Sequence, residues 1–359
     1  MPTADSDEAP VLLRTHGRAG HIVLNRPRAI NALNHAMVRL MDDALAAWER
    51  DDAVAAVVLT GAGERGLCAG GDIRSIHDDI RAGGGAASVA FWRDEYRLNA
   101  RIARFPKPYV AVMDGIVMGG GVGVSAHGSV RIVTERSRIA MPETGIGFVP
   151  DVGGTYLLTR TPGELGTHLA LTGSAVGAGD ALLCGLADHY VPSERLPQFT
   201  AALAEADVDE VVAEYATTAP EGELAAHREW IDSCYSADSV EEIVDRLYTS
   251  GDRAAKETAE TILGKSPTSL KVTLAALRRA RALASLEQVL DQEYRVSATA
   301  ITAPDMVEGI RAQVVDKDRD PHWSPAGLTQ VSDAEVSRHF APRDGDELGL
   351  APGTDPRCL

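Results

Sequence analysis

The sequence predicts an α/β fold with a largely parallel sheet, followed by a helical C-terminal section. Over the first 190 residues, short apolar runs of strand length alternate with stretches of helical periodicity. Several of the runs stop at Gly or Asp-Gly turns. From about Pro197 onward the strand signals vanish, and Ala, Glu, Leu and Arg dominate. Alternation followed by an all-helical stretch is the pattern of a parallel sheet with crossover helices and an added helical region.

In chain order, residues 21–24 form the first apolar run, ended by the turn signal Asn25-Arg26-Pro27. Met37, Leu40, Met41, Ala44, Leu45 and Trp48 recur at spacings of three and four, one face of a helix. Residues 55–60, 109–113 and 130–134 are further strands, the first stopped by Gly61-Ala62-Gly63 and the second by Asp114-Gly115. In the later section Leu270, Leu274 and Leu277 mark one helical face, and Leu286, Val289, Leu290 and Tyr294 another. Ser266-Pro267 opens the first of these, with Pro at a first-turn position. The expected divisions are a disordered lead-in over 1–10, a core over 11–196, a helical section over 197–335 and a loose tail over 336–359.

The chain has 359 residues, 45% of them hydrophobic and 24% charged, enough for a sizeable core. Its net charge of -17 disfavours nucleic acid and anionic membranes as partners. No run of apolar residues is long enough to cross a bilayer. The first ten residues are acidic, without Lys or Arg, which fits neither a secretory nor an Arg-rich transit segment, so a cytoplasmic location is expected. Cys68, Cys184, Cys234 and Cys358 are widely spaced and read as free thiols, and no metal-ligand pattern is present.

Two glycine clusters lie just after predicted strands: Cys68-Ala69-Gly70-Gly71-Asp72 and Gly119-Gly120-Gly121-Val122-Gly123. Amides of two such turns can converge on one carbonyl oxygen and stabilise charge that develops on it. Each cluster taken alone is as readily a tight turn. Gly121, Gly123 and Ala126 also fit a GxGxxA dinucleotide pattern, but Pro142 beside Glu143 spoils the second strand of that unit. Gly264-Lys265-Ser266 ends like a phosphate-binding loop, yet Ala259 replaces its first glycine. Further on, Glu143 and Asp151 stand eight residues apart among Gly, Pro and apolar residues. Burial there raises carboxyl pKa values, and two such acids can divide acid, base or nucleophile roles. The plainer reading is that both cap local turns.

These stretches together resemble the crotonase (enoyl-CoA hydratase/isomerase) superfamily, from about residue 12 to 325. The resemblance rests on the ordered set Asn25–Leu33, Cys68–Ile73, Pro106–Ala111, Asp114-Gly115 leading to the triple glycine, and Met141-Pro142-Glu143. Four further stretches resemble the 3-hydroxyisobutyryl-CoA hydrolase subfamily, thioesterases of valine breakdown: Arg93-Asp94-Glu95-Tyr96, Pro142–Gly154, Ser266–Thr273, and Asp316-Lys317-Asp318 with Pro321 and Trp323.

The resemblance implies a ββα superhelix core and an acyl-CoA substrate, with no separate cofactor and no metal. It implies that the amides of Gly71 and Gly120 form an oxyanion hole. Glu143 would be the catalytic carboxylate, Asp151 its partner on the substrate 3-hydroxyl, and Glu95 a wall of the acyl pocket. The adenine end of coenzyme A would lie along residues 25–33 and 69–73, including Arg26, Ala29, Ala69, Gly70, Gly71, Asp72 and Ile73. Arg26 and Arg28 would supply the local positive charge. Hydratases of this superfamily carry a glutamate two residues after the triple glycine. Here that residue is Gly123, so thioester hydrolysis is expected over hydration, with isomerisation as the alternative. The resemblance also implies trimer-based assembly, unless the helical section folds over its own site and leaves a monomer.

Overall fold

The computed structural model describes residues 9–343 and 345–351. The chain packs as two compact units that interleave in sequence. Among the described residues, one takes its residues from 9–71, 97–140 and 176–223, the other from 72–96, 141–175 and 224–351. The consecutive division expected at residue 196 is therefore corrected, because the chain leaves the first unit twice and returns to it.

The first unit is built on a six-stranded sheet in the order β1-β2-β3-β4-β6-β8 and a two-stranded sheet, β5-β7. The strands are β1 (Val11–His16), β2 (Ala19–Leu24), β3 (Ala56–Gly61), β4 (Tyr109–Met113), β5 (Ile116–Met118), β6 (Val130–Val133), β7 (Arg138–Ala140) and β8 (His189–Tyr190). Only β1 runs antiparallel to its neighbour; the other pairings are parallel. The expected parallel α/β arrangement holds. β1 escaped the sequence reading because it is an edge strand exposed along most of its length, and β5, β7 and β8 are too short to show a period.

Helix α1 (His35–Glu49) starts at Asn34, whose side chain accepts from the Met37 amide, and buries Met37, Val38, Met41, Ala44, Leu45 and Trp48. A core layer of this unit joins Ala19, Val58, Val110, Ile132, Phe199 and Leu203. Each large side chain so buried contributes about 1.5–3 kcal/mol by its removal from water.

The second unit is helical. It contains α2 (Ile73–Gly83) and the first part of α3 (Ala86–Ala103). The helix Pro267–Ala280 is capped by the Ser266 side chain, which accepts from the Ser269 amide at 3.1 Å and donates to Asp305 at 2.5 Å. The Ser266 amide also donates to the Thr144 carbonyl at 3.2 Å, so this cap pins the segment that carries Glu143. Residues 336–351, expected to be part of a loose tail, are fixed instead. Phe340 and Leu348 are buried, Glu347 pairs with Arg295 at 2.8 Å, and Asp346 pairs with Arg93 and Arg343. Residues 1–8 of the lead-in and Cys358 lie outside the described residues. Cys68, Cys184 and Cys234 are buried and form no disulfide among the described residues.

Candidate active site

The sheet unit supplies the glycine loops. Gly119, in a left-handed conformation at φ 48°, leads into the short helix α4 (Gly120–Ser125). At the first position of a helix, the Gly120 amide has no acceptor within that helix. The other loop is bridged to Leu33, whose amide donates to the Gly70 carbonyl at 2.8 Å. The two loops are in close contact: a Cβ on Gly121 would stand 2.5 Å from the Cys68 carbonyl oxygen. One on Gly70 would come within 3.2 Å of the Met118 carbonyl oxygen and 3.7 Å of the Gly120 nitrogen. Glycine is needed here because the backbones themselves touch. Cys68 is buried, its thiol engaged with Gly70.

The segment Asn25 to Leu33 is a locked turn in the same unit. Ile30 and Asn31 are left-handed, at φ 49° and 55°. The Asn31 side chain holds the turn by donating to the carbonyls of Ala62, Gly66 and Leu67. Arg26 donates to the Ala32 carbonyl at 2.5 Å, so part of its charge serves the turn. Ala29 and Arg28 are at the exposed side of the turn. Ala69 hydrogen-bonds through its amide to Ile30, which ties two of the predicted coenzyme A segments together. Asp72 and Ile73 begin α2 in the other unit, where the Asp72 side chain accepts from the Ser75 amide.

The helical unit supplies the acids. Glu143 opens a short 3-10 turn over Glu143–Ile146, and its carbonyl accepts from the amides of Gly147 and Phe148. Its carboxyl group is buried, and one oxygen, Oε2, has no hydrogen-bond partner among the described residues. Glu95, on α3, is 2% exposed and likewise has an unpartnered oxygen, Oε1. Asp151 does not cap the helix that follows it. Its Oδ2 accepts from the Tyr96 hydroxyl at 2.7 Å, and that hydroxyl also meets the Ser297 hydroxyl at 2.8 Å. If Tyr96 donates to Asp151, Ser297 donates to Tyr96. The Trp92 and Phe148 rings stack at 5.0 Å within the same unit.

Sequence reasoning missed Glu293 and Ser297. Glu293 is 1% exposed. Its Oε2 accepts from the Gly153 amide at 2.6 Å, and its Oε1 from the Thr155 amide at 2.9 Å and hydroxyl at 2.6 Å. A signal existed. Residues 293 and 297 continue the 286, 289, 290 and 294 spacing, so a glutamate sits on an apolar helical stripe.

Burial and the neighbouring Asp151 raise Glu95 well above the ordinary carboxyl range. Burial, then Asp151 and Glu293, do the same to Glu143. Burial raises Asp151 to about 7, against the lowering effect of the Tyr96 hydrogen bond. Glu293 is raised to about 8 by burial, with Asp151 adding to the rise against its three hydrogen bonds. No cationic side chain pairs with any of these acids among the described residues. A buried group of acids without a counter-ion keeps protons near neutral pH, which suits acid and base work there. Among the described residues no group of three or more His, Cys, Asp or Glu is placed to hold a metal ion, and no helix is long and apolar enough to cross a membrane.

Comparison with known proteins adds a family. The profile described as enoyl-CoA hydratase/isomerase matches residues 19–340. The chain is 42% identical over 353 residues to a chicken (Gallus gallus) protein named 3-hydroxyisobutyryl-CoA hydrolase, mitochondrial, covering 95% of this chain and 91% of that one. It is 41% identical over 349 residues to the human protein of the same name, covering 94% and 90%. Among solved structures, one described as a carnitinyl-CoA dehydratase from Mycobacterium thermoresistibile superposes with a TM-score of 0.93 at 53% identity, covering 96% of this chain and all of that one. Another, described as an enoyl-CoA hydratase from Rhodobacter sphaeroides, superposes at 0.90 with 44% identity, covering 95% and 99%.

Proposed function

From the premise that the chain belongs to the enoyl-CoA hydratase/isomerase family, we propose that it hydrolyses a short 3-hydroxyacyl-CoA thioester, 3-hydroxyisobutyryl-CoA, to the free acid and coenzyme A. The observation that carries this reading is the pairing of Glu143 and Asp151 in one buried acidic group, with Gly123 in place of a second catalytic glutamate. The amides of Gly71 and Gly120 take the thioester carbonyl oxygen and stabilise the charge that develops on it. In its ionised form Glu143, with one unpartnered oxygen, either attacks the carbonyl or draws a proton from the water that attacks. In the first case the C–S bond breaks and water then hydrolyses the mixed anhydride. In both cases the water supplies the hydroxyl of the free acid and the proton of the thiol. Asp151, oriented by Tyr96, holds the 3-hydroxyl. Glu95 shapes the acyl pocket. Arg26, Ala29, Ala69, Gly70, Asp72 and Ile73 line the coenzyme A path. Coenzyme A leaves as its thiol, so the reaction calls for no further cofactor.

A second reading, hydration or dehydration of the acyl chain, is favoured by the descriptions of the two solved neighbours. Against it stands Gly123, which has no side chain to hold a water with Glu143. Free thiol release from 3-hydroxyisobutyryl-CoA, lost in Glu143→Ala and Asp151→Ala, supports hydrolysis. A change in acyl unsaturation with no thiol released overturns it. We further propose a role in valine breakdown, tested by growth on valine after deletion, and a cytoplasmic location, tested by fractionation. The vertebrate relatives carry "mitochondrial" in their names.

A further inference from the structure

The turn that follows Asp151 is conformationally costly. Val152 is left-handed at φ 54° and Gly153 at φ 79°. Glycine takes this region freely, but a β-branched residue such as valine does so only when its surroundings force it. The force comes from a residue 140 positions away in sequence. Glu293 accepts from the amides of Gly153 and Thr155 and from the Thr155 hydroxyl, so every contact falls just after the strained residue. The Gly154 amide closes the turn onto the Asp151 carbonyl at 2.6 Å. One helical turn beyond Glu293, Ser297 reaches Tyr96, which holds the Asp151 carboxylate from the other end. A single helix face thus fixes Asp151 through both its backbone and its side chain.

We infer that Glu293 is a positioning residue that holds Asp151 in its working geometry by clamping the strained Val152-Gly153 turn. A buried carboxylate spent on local backbone amides is a costly way to pack a helix. It is a direct way to over-determine a turn next to a working group. The inference rests on the reading that Asp151 acts on the substrate.

The experiment compares Glu293→Gln, Thr155→Val, Asp151→Asn and the double variant Glu293→Gln with Val152→Gly, reading kcat and KM of thiol release against pH. In Glu293→Gln, an amide NH2 replaces one acceptor oxygen and faces a backbone N–H. The expected result is a fall in kcat of about 10- to 100-fold with little change in KM, as misplacement of a working group produces. Thr155→Val, which keeps the carboxylate and removes one donor, falls less in the same direction; it carries the test if Glu293→Gln does not fold. Adding Val152→Gly restores roughly threefold or more, because glycine holds the turn without the clamp.

The groups facing Glu293 are Asp151, Glu143 and Tyr96. Neutral Gln removes a repulsion that raises Glu143, so the limb of the profile that Glu143 sets moves to lower pH. Unchanged kcat in both Glu293→Gln and Thr155→Val overturns the inference, as does a loss with neither rescue nor pH shift. If Asp151→Asn keeps full kcat, the reading of Asp151 fails instead.

Discussion

In the proposed reaction the two units contribute different materials. The sheet unit offers backbone: amides at Gly71 and Gly120, in loops so close that a single added Cβ at Gly121 would strike a carbonyl oxygen at 2.5 Å. The helical unit offers side chains: carboxyl groups buried together without a counter-ion among the described residues. A backbone donor is fixed by chain geometry and is insensitive to pH. A buried acid is fixed only by what packs around it, and its charge responds to every neighbour. Substitutions in the two units should therefore fail in different ways.

The sharpest break is Glu143→Gln, which keeps shape and removes the ionisable group. Thiol release under saturating substrate should fall by about 10³-fold or more, with KM nearly unchanged. Gly120→Pro attacks the backbone side. Proline is tolerated at a first helical position but has no N–H, so a loss of about 10²–10³ in kcat is expected, with no shift of the pH profile. A loss below about fivefold would remove the Gly120 amide from the mechanism.

Tyr96→Phe sharpens the contrast. The Tyr96 hydroxyl lowers Asp151 by hydrogen bonding to its charged form. Its removal should move the Asp151 titration upward from about 7, and the limb of the kcat profile that Asp151 sets moves with it. A profile that moves down or stays fixed would place Asp151 outside the rate-determining proton inventory. The smallest effect is on stability. Ser266→Ala removes a helix cap and a buried bond to Asp305 and should lower unfolding free energy by about 1–2 kcal/mol in a urea titration.

What could be read from the sequence follows the same division. The parallel strands, the glycine loops and α1 are local features, and local periodicity and turn chemistry expose them. Glu143 and Asp151 were visible because apolar residues and glycines surround them within one short segment. The interleaving of the units was not visible, because consecutive segments give no sign of which unit they join. Tyr96 was legible only as part of the Arg93-Asp94-Glu95-Tyr96 stretch; its bond to Asp151 spans 55 residues. Glu293 acts across 140 residues, and only its misplaced charge on an apolar stripe hinted at a task. The tail after residue 336 looked loose by composition, yet Asp346 and Glu347 are held by Arg93 and Arg295 from distant helices.

The buried acids also set the direction in which this protein could drift. Asp151 and Glu293 titrate in the folded state near 7 and 8, above their unfolded values. The fold is therefore relatively favoured below the unfolded pKa values, and it loses that advantage as pH rises through the folded ones. Near neutral pH Asp151 is a standing burden that an amide of similar size, still accepting from Tyr96, would relieve. A duplicate of this chain freed from its reaction would gain stability by shedding that carboxylate, while its sheet and glycine turns would stay recognisable long after the chemistry had gone.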